Sequence, residues 1–324
     1  MVLASLAGYS DLPYRLICRR YGAPFCATEM LLDRSLLASP KLRNRLLQIT
    51  PQDHPLAGQL IGNDPATLAA AAGVLCERGA DVVDLNFACP VRKALARRRG
   101  GYLMQQVERA VGITRAVIAA AGCPVTLKLR RAFGQAHTPR DSFYRIAEAA
   151  FDAGAAAICV HARSVEVKYA HPADWAFLAQ AREHFRDRTL IGSGDVLTPA
   201  AALEMLEQTG VNGVAVARGA LGNPWFFRQV RDLAEGRPPY RPSLAEQREV
   251  LGGHFAHACE VYGAKRGPKI MRKFGIKYAR LHPMPREVRA AFSEVRDREQ
   301  WTAVLEEWYR QGIDTPRPHR KNSG

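Results

Sequence analysis

The chain has 324 residues, 47% of them hydrophobic, which suits one barrel-sized domain with an appendix, or two ordinary domains, and excludes a chain that is disordered as a whole. A formal net charge of +15 and an isoelectric point near 9.8 point toward a polyanionic partner such as nucleic acid. Seven scattered cysteines without C-x-x-C or zinc-finger spacing argue against a disulfide framework or structural zinc, and no membrane span or signal peptide is visible, so the expectation is a cytoplasmic, reduced protein with no metal.

Eight short apolar runs alternate with helical patterns along the first two thirds of the chain. They are Val2 to Leu6, Cys26 to Met30, Pro55 to Gly62, Val82 to Asn86, Pro124 to Leu129, Ala156 to His161, Thr189 to Gly194 and Gly213 to Ala217. This alternation predicts repeated βα units closed into an α/β (β/α)₈ TIM barrel, with a doubly wound open sheet as the alternative that periodicity leaves open. Pro65 to Arg78 and Pro199 to Gln208 have helical spacing and follow an Asp and a Thr suited to N-capping. Gln59, Asn86, Lys128, His161 and Asp195 fall at or near the C-terminal ends of five different runs, where barrel enzymes assemble their sites.

The stretch "LAEGRPPYRP" punctuates the chain with Gly and closely spaced Pro. It assigns residues 1–235 to the barrel, 236–242 to a linker, 243–311 to a small all-helical domain and 312–324 to a flexible tail. Within the helical part, "GPKIMRKFGIKYARL" is two-sided at about 100° per residue. Lys269, Arg272, Lys273, Lys277 and Arg280 share one face, and Ile270, Met271, Phe274, Tyr278 and Leu281 share the other. With no acid among them, the basic face is expected to lie open to RNA phosphates.

Several residues invite chemistry. The glycine-rich ends "IGSGD" and "ARGALGNP" follow the last two runs, a common phosphate site in barrels, although such glycines also serve as plain turns. Lys128 sits inside an apolar strand, where a lysine needs a charge or cofactor to meet or a rim to reach. Cys89 follows the fourth run in an Asn-x-x-Cys-Pro setting, ahead of the basic residues Arg92, Lys93, Arg97, Arg98 and Arg99.

Taken together, "LASLAGYSDLPYR", "GQLIGNDP", "DLNFACPVRK", "VTLKLR", "VHARS…YAHPADW", "IGSGD" and "ARGALGNPWFF" resemble, in order and spacing, the tRNA-dihydrouridine synthases, and "MRKFGIKY" resembles part of their RNA-binding helical domain. The resemblance covers nearly the whole chain. It implies an FMN-dependent barrel that reduces uridine in tRNA with NADPH. Ser5, Leu6 and Ala7 then fall where the first strand end meets the flavin, Gln59 and Lys128 on its ring system, and Ser193, Gly194, Asp195, Ala217 and Arg218 at its phosphate end. Asn86 and His161 complete the implied cofactor set, and Arg163 joins the RNA-binding residues.

Cys89 matches the family's proton donor. Hydride addition at carbon 6 of uracil leaves an enolate that needs a proton at carbon 5, and a thiol with an ordinary pKa of about 8.5 is still protonated at neutral pH. The basic run after Cys89 is expected to face phosphates instead of the thiol. Ser5-Leu6, Ala88, Val167 and His171 stand where the family usually shows Pro-Met, Gly, Gln and Gly. Two rival readings are a flavin barrel acting on a small enone-type substrate and a non-catalytic tRNA-binding barrel.

Overall fold

The computed structural model describes residues 1–133 and 142–310. Nine parallel strands run in it: β1 (Val2–Leu3), β2 (Cys26–Ala27), β3 (Leu31–Leu32), β4 (Leu56–Ile61), β5 (Val82–Asn86), β6 (Val125–Arg130), β7 (Ala157–His161), β8 (Leu190–Ser193) and β9 (Gly213–Val216). Pairing of β1 with β9 and of β2 with β4 closes eight of them into a ring. The barrel is therefore present and the open-sheet alternative is not. Every residue of β4 is buried, the expected pattern for a parallel strand covered on both faces.

The second apolar run is the one that departs from expectation. It forms two short pieces, β2 and β3, with β3 continuing alongside the end of β4. Between them, Thr28 puts its hydroxyl where a ladder carbonyl would sit and accepts the Gln59 N–H at 3.0 Å, while Glu29 turns its carboxylate to the Gly8 N–H. Side chains thus take over the pairing that the backbone drops.

The expected helices form at Pro65–Glu77 and Pro199–Thr209, capped by Asp64 on the Thr67 N–H (2.9 Å) and by Thr198 on the Ala201 N–H (3.2 Å). After residue 234 the chain runs without regular structure to Ser243, whose capping box with Glu246 starts the helix Leu244–Tyr262. Helices Gly267–Tyr278, Pro285–Glu294 and Arg298–Trp308 follow, with no strand among the described residues of this part. The expected end at Gln311 and the tail 312–324 lie outside the described residues. No helix among the described residues is long and apolar enough to cross a membrane.

The cysteine expectation needs one correction. Cys76 and Cys123 form a disulfide. Their Cα atoms lie 6.0 Å apart across 47 residues of sequence, because the C-terminal end of the Pro65–Glu77 helix meets the loop that enters β6. The other five cysteines are free.

The C-terminal helices pack against the barrel through aromatic groups. His254 lies buried against Phe274 and Tyr14, with ring centroids 4.5 and 5.7 Å away, and burial pushes its pKa down to about 3. Tyr262 donates its hydroxyl to the buried Asp11 carboxylate at 2.9 Å. Both barrel residues, Asp11 and Tyr14, belong to the N-cap and first turn of the helix Leu12–Arg20 that follows the loop after β1, so the C-terminal helices stand beside the barrel mouth.

Candidate active site

One pocket opens at the C-terminal end of the barrel, and every residue that the sequence singled out for the cofactor or the proton lines it. Ser5, Leu6 and Ala7 come from the loop after β1, Gln59 from β4, and Asn86 and Cys89 from β5 and its loop. Lys128 comes from β6, His161 from β7, Ser193 from β8, Gly194 and Asp195 from the loop after it, and Ala217 and Arg218 from the loop after β9. Parallel strands bring these ends together because each βα unit returns the chain to the same rim.

A polar network fixes the wall that carries the thiol. Asn86 donates through Nδ2 to Gln59 Oε1 at 2.7 Å, and Gln59 donates through Nε2 to Asp84 Oδ2 at 2.7 Å. Thr126 donates to the other oxygen of Asp84 at 2.8 Å. With its amide so oriented, Asn86 Oδ1 accepts the N–H groups of Ala88 (3.1 Å) and Cys89 (2.9 Å), which winds the chain into the turn that presents Cys89. Arg130 supports that turn from below, donating to Ala88 O at 2.8 Å and to Ser164 O at 2.9 Å. Gly100 supports it from the side. Its φ of +59° is a left-handed value, and an added Cβ would lie 2.8 Å from the Cys89 Cβ, so a larger residue there would displace the thiol.

The thiol's acidity follows from this packing. Burial pushes the Cys89 pKa up, and the Val91 N–H and the Arg130 charge pull it part of the way back. Cys89 therefore stays protonated at neutral pH, with the Arg130 cation beside it. Ala88 has no positive φ, so alanine fits where the family shows glycine.

The opposite wall carries charge. Lys128 Nζ reaches Cys159 Sγ at 3.3 Å inside the barrel. His161 is held neutral because burial, then Lys128, Arg130, Arg163 and Arg218, push its pKa down to about 2. Its buried Nδ1 has no hydrogen-bond partner within the chain, an atom ready for a ligand. At Gly194, φ is +127° and an added Cβ would meet the Ala173 Cβ at 2.7 Å, so only glycine lets this pocket-lining backbone pass so close to the segment that carries Ala173. Asp195 pairs with Arg163 at 2.7 Å and stands 3.4 Å from Arg218, and these contacts hold its carboxyl below the usual range despite its partial burial.

The cations assigned to RNA divide into two groups. Arg92, Lys93, Arg97, Arg98, Lys269 and Lys277 are exposed, and Arg99 and Arg272 are half-buried. Arg163 is a correction: it is buried and spends its guanidinium on Asp195 and on His171 O. The open basic stripe on the Gly267–Tyr278 helix and the short turn Ala279–Leu281 after it is a second correction. Lys273 donates to Gly8 O, and Arg280 donates to Gly219 O. Both are thus committed to the loops after β1 and β9, because the face opposite Met271 and Phe274 does not lie wholly in solvent but meets the barrel mouth. Lys269 and Lys277 are exposed, although the Lys277 backbone packs against Gly222 of the loop after β9.

Two polar pocket residues escaped the sequence reading. Arg130 lies two residues beyond Lys128, so strand alternation places both on one face, and that spacing could have found it. Tyr169 lines the mouth with the Arg218 guanidinium 4.4 Å from its ring centroid, and nothing local in the sequence marks it. Among the described residues, no group of three or more His, Cys, Asp or Glu is placed to hold a metal ion.

A pocket with convergent polar groups and a protonated thiol at the mouth of a parallel barrel is a site for chemistry, and comparison with known proteins says which kind. The family model described as dihydrouridine synthase matches residues 2–313. The chain belongs to the dihydrouridine synthase family. It is 33% identical over 311 residues to a protein of Xanthomonas campestris named tRNA-dihydrouridine synthase B, covering 95% of this chain and 92% of that one. A protein of the same name from Pseudomonas aeruginosa is 32% identical over 311 residues, with the same coverage, and a probable tRNA-dihydrouridine synthase of Mycobacterium tuberculosis is 32% identical over 319 residues, covering 94% and 81%. Membership makes the chain an enzyme, an oxidoreductase. Among solved structures, a complex of 2-naphthoyl-CoA reductase superposes with a TM-score of 0.53 at 11% identity over 74% of this chain. The chain spans about half of that reductase's length, and the likeness concerns the fold alone.

Proposed function

We propose that this enzyme reduces uridine to 5,6-dihydrouridine in tRNA, with FMN held at the barrel mouth, NADPH as reductant and Cys89 as the proton donor. The family match and the names of the relatives support the substrate. The observation that carries the reading is the protonated Cys89 thiol held in a fixed turn, in the same pocket as Lys128 and the two glycine-bearing strand ends.

The residues present fit a flavin nucleotide. The orphaned Nδ1 of His161 and the close backbone at Gly194 suit a ligand with polar edges and a phosphate. Ser193, Gly194, Ala217 and Arg218 would hold the phosphate end, with Asp195 orienting Arg218, and Ser5, Leu6, Ala7, Gln59, Asn86 and Lys128 would hold the ring end. When bound, the flavin supplies the hydride for carbon 6 of the uracil. Cys89 gives its proton to carbon 5, Arg130 stabilises the thiolate left behind, and Asn86 keeps the thiol on the pocket wall.

The exposed cations Arg92, Lys93, Arg97, Arg98, Lys269 and Lys277 would meet tRNA phosphates, with the helices from residue 243 onward acting as an RNA-binding domain beside the catalytic barrel. The target base must leave its stack to reach the pocket, and we place the enzyme with its substrate in the cytoplasm. The test is a map of dihydrouridine in total tRNA from the host with and without this gene. Loss at one or more positions, restored by the wild-type gene and not by Cys89→Ala, is the expected result. An unchanged map would overturn the proposal.

A further inference from the structure

Four large apolar side chains are exposed among the described residues: Leu46, Val91, Tyr169 and Leu197. Three of them, Val91 (57% exposed), Tyr169 (54%) and Leu197 (47%), line the mouth of the pocket that holds Cys89. Single exposed apolar residues are ordinary on any protein. Three that converge on one rim from the separate loops after β5, β7 and β8 mark a contact surface.

The rim is also held in place. Val91 O accepts the N–H groups of Ala94 at 2.8 Å and Leu95 at 3.1 Å. The Tyr169 ring lies against the Arg218 guanidinium at 4.4 Å, and the Leu197 N–H is bound to Asp195 O at 2.9 Å. Little ordering is left to pay when a partner docks.

Cations interleave with these apolar groups. Arg92 and Lys93, both exposed, follow Val91 directly. Apolar and aromatic surface alternating with positive charge is the composition that accepts single-stranded nucleic acid, since every base has a π face and every linkage a phosphate. A base drawn out of its stack leaves its two neighbours with an uncovered face each, at a cost in free energy. We propose that Val91, Tyr169 and Leu197 form a rim that packs against the two bases flanking the extruded uridine, an inference that rests on the proposed action on RNA. The contact is made to base faces, so it is tolerant of sequence.

The test uses the FMN-loaded protein and two labelled single-stranded RNA pentamers with a central adenosine-uridine-adenosine, one intact and one with abasic sites in place of the two adenosines. Wild-type protein should bind the intact pentamer on the order of 10-fold more tightly than the abasic one by fluorescence anisotropy. The double variant Val91→Ser, Leu197→Ser, with Tyr169 still in place, should lose most of this preference. Its exposed positions leave the core untouched, and the conservative pair Val91→Leu, Leu197→Met should keep the preference. Equal binding of both pentamers by wild type, or an undiminished preference in the serine variant, would overturn the rim. Absence of dihydrouridine from tRNA exposed to the enzyme would instead sink the proposed reaction, which this binding measurement does not involve.

Discussion

Arg130→Met separates the two tasks that the structure gives one side chain. The guanidinium is buried and donates to two backbone carbonyls, Ala88 O at 2.8 Å and Ser164 O at 2.9 Å. Methionine leaves both without a donor, at about 1–3 kcal/mol each if they stay dry. Burial already lowers the guanidinium's own pKa, so removing the charge relieves part of that cost, and a net loss of about 2 kcal/mol in denaturant unfolding is expected. The catalytic signature is independent of stability. Cys89 must carry its proton to act as an acid, so kcat/KM falls as pH rises through the thiol pKa. Burial sets that pKa above the ordinary thiol range, and Arg130 is one of two groups pulling it back. Without Arg130 the falling limb should move to still higher pH, and the rate at neutral pH should drop on the order of 10- to 100-fold as the thiolate loses its cation. Arg130→Lys should bring the limb back part of the way while leaving one carbonyl unpaired. A limb that stays in place or moves to lower pH in the methionine variant would refute the reasoning.

Arg218→Ala should weaken FMN retention on dialysis, because one charge-assisted phosphate partner disappears; unchanged flavin occupancy would place the phosphate elsewhere. Lys269→Gln with Lys277→Gln should flatten the slope of log K against log salt for tRNA by up to about one unit per lost phosphate contact. Lys273→Gln should leave that slope nearly unchanged, since Lys273 is bound to Gly8 O. Asp11 is buried and its pKa is pushed up to about 6, chiefly by burial, so the folded chain holds a proton that the unfolded chain, with a pKa near 3.9, releases. Its contribution to stability is therefore greatest below about pH 4 and is lost as pH rises toward 6, a change of about 3 kcal/mol. Asp11→Asn keeps the acceptor for the Tyr14 N–H and should remove that slope, leaving a variant at least as stable as wild type at pH 7.5; urea unfolding across the range decides it.

The barrel was legible because its strands are buried on both faces and read as short apolar runs between capped helices. Leu56–Ile61 is the clearest instance. The pocket was legible for a related reason: polar residues such as Gln59, Asn86 and Lys128 interrupt those runs where an apolar core would exclude them. What the sequence hid are relations between distant segments. The interruption of the second strand depends on Thr28 meeting Gln59, and the burial of Arg163 depends on Asp195, 32 residues away. Helical periodicity identified a basic face on Gly267 to Leu281, but period alone does not say what a face is turned toward, and two of its cations, Lys273 on the helix and Arg280 in the turn after it, meet the barrel. The Cys76–Cys123 pair was concealed in the same way, by a contact between a helix end and a later loop.

The central claim is that this enzyme adds two hydrogens across the carbon 5–carbon 6 bond of a uridine in tRNA, the second of them as a proton from Cys89. The most direct measurement is mass spectrometry of nucleosides from dihydrouridine-free tRNA after incubation with purified protein, FMN and NADPH. Wild-type protein should yield dihydrouridine, and Cys89→Ala, folded and carrying FMN, should yield on the order of 10²- to 10⁴-fold less per unit time. No dihydrouridine from the wild type, or equal rates from the two proteins, would contradict the account.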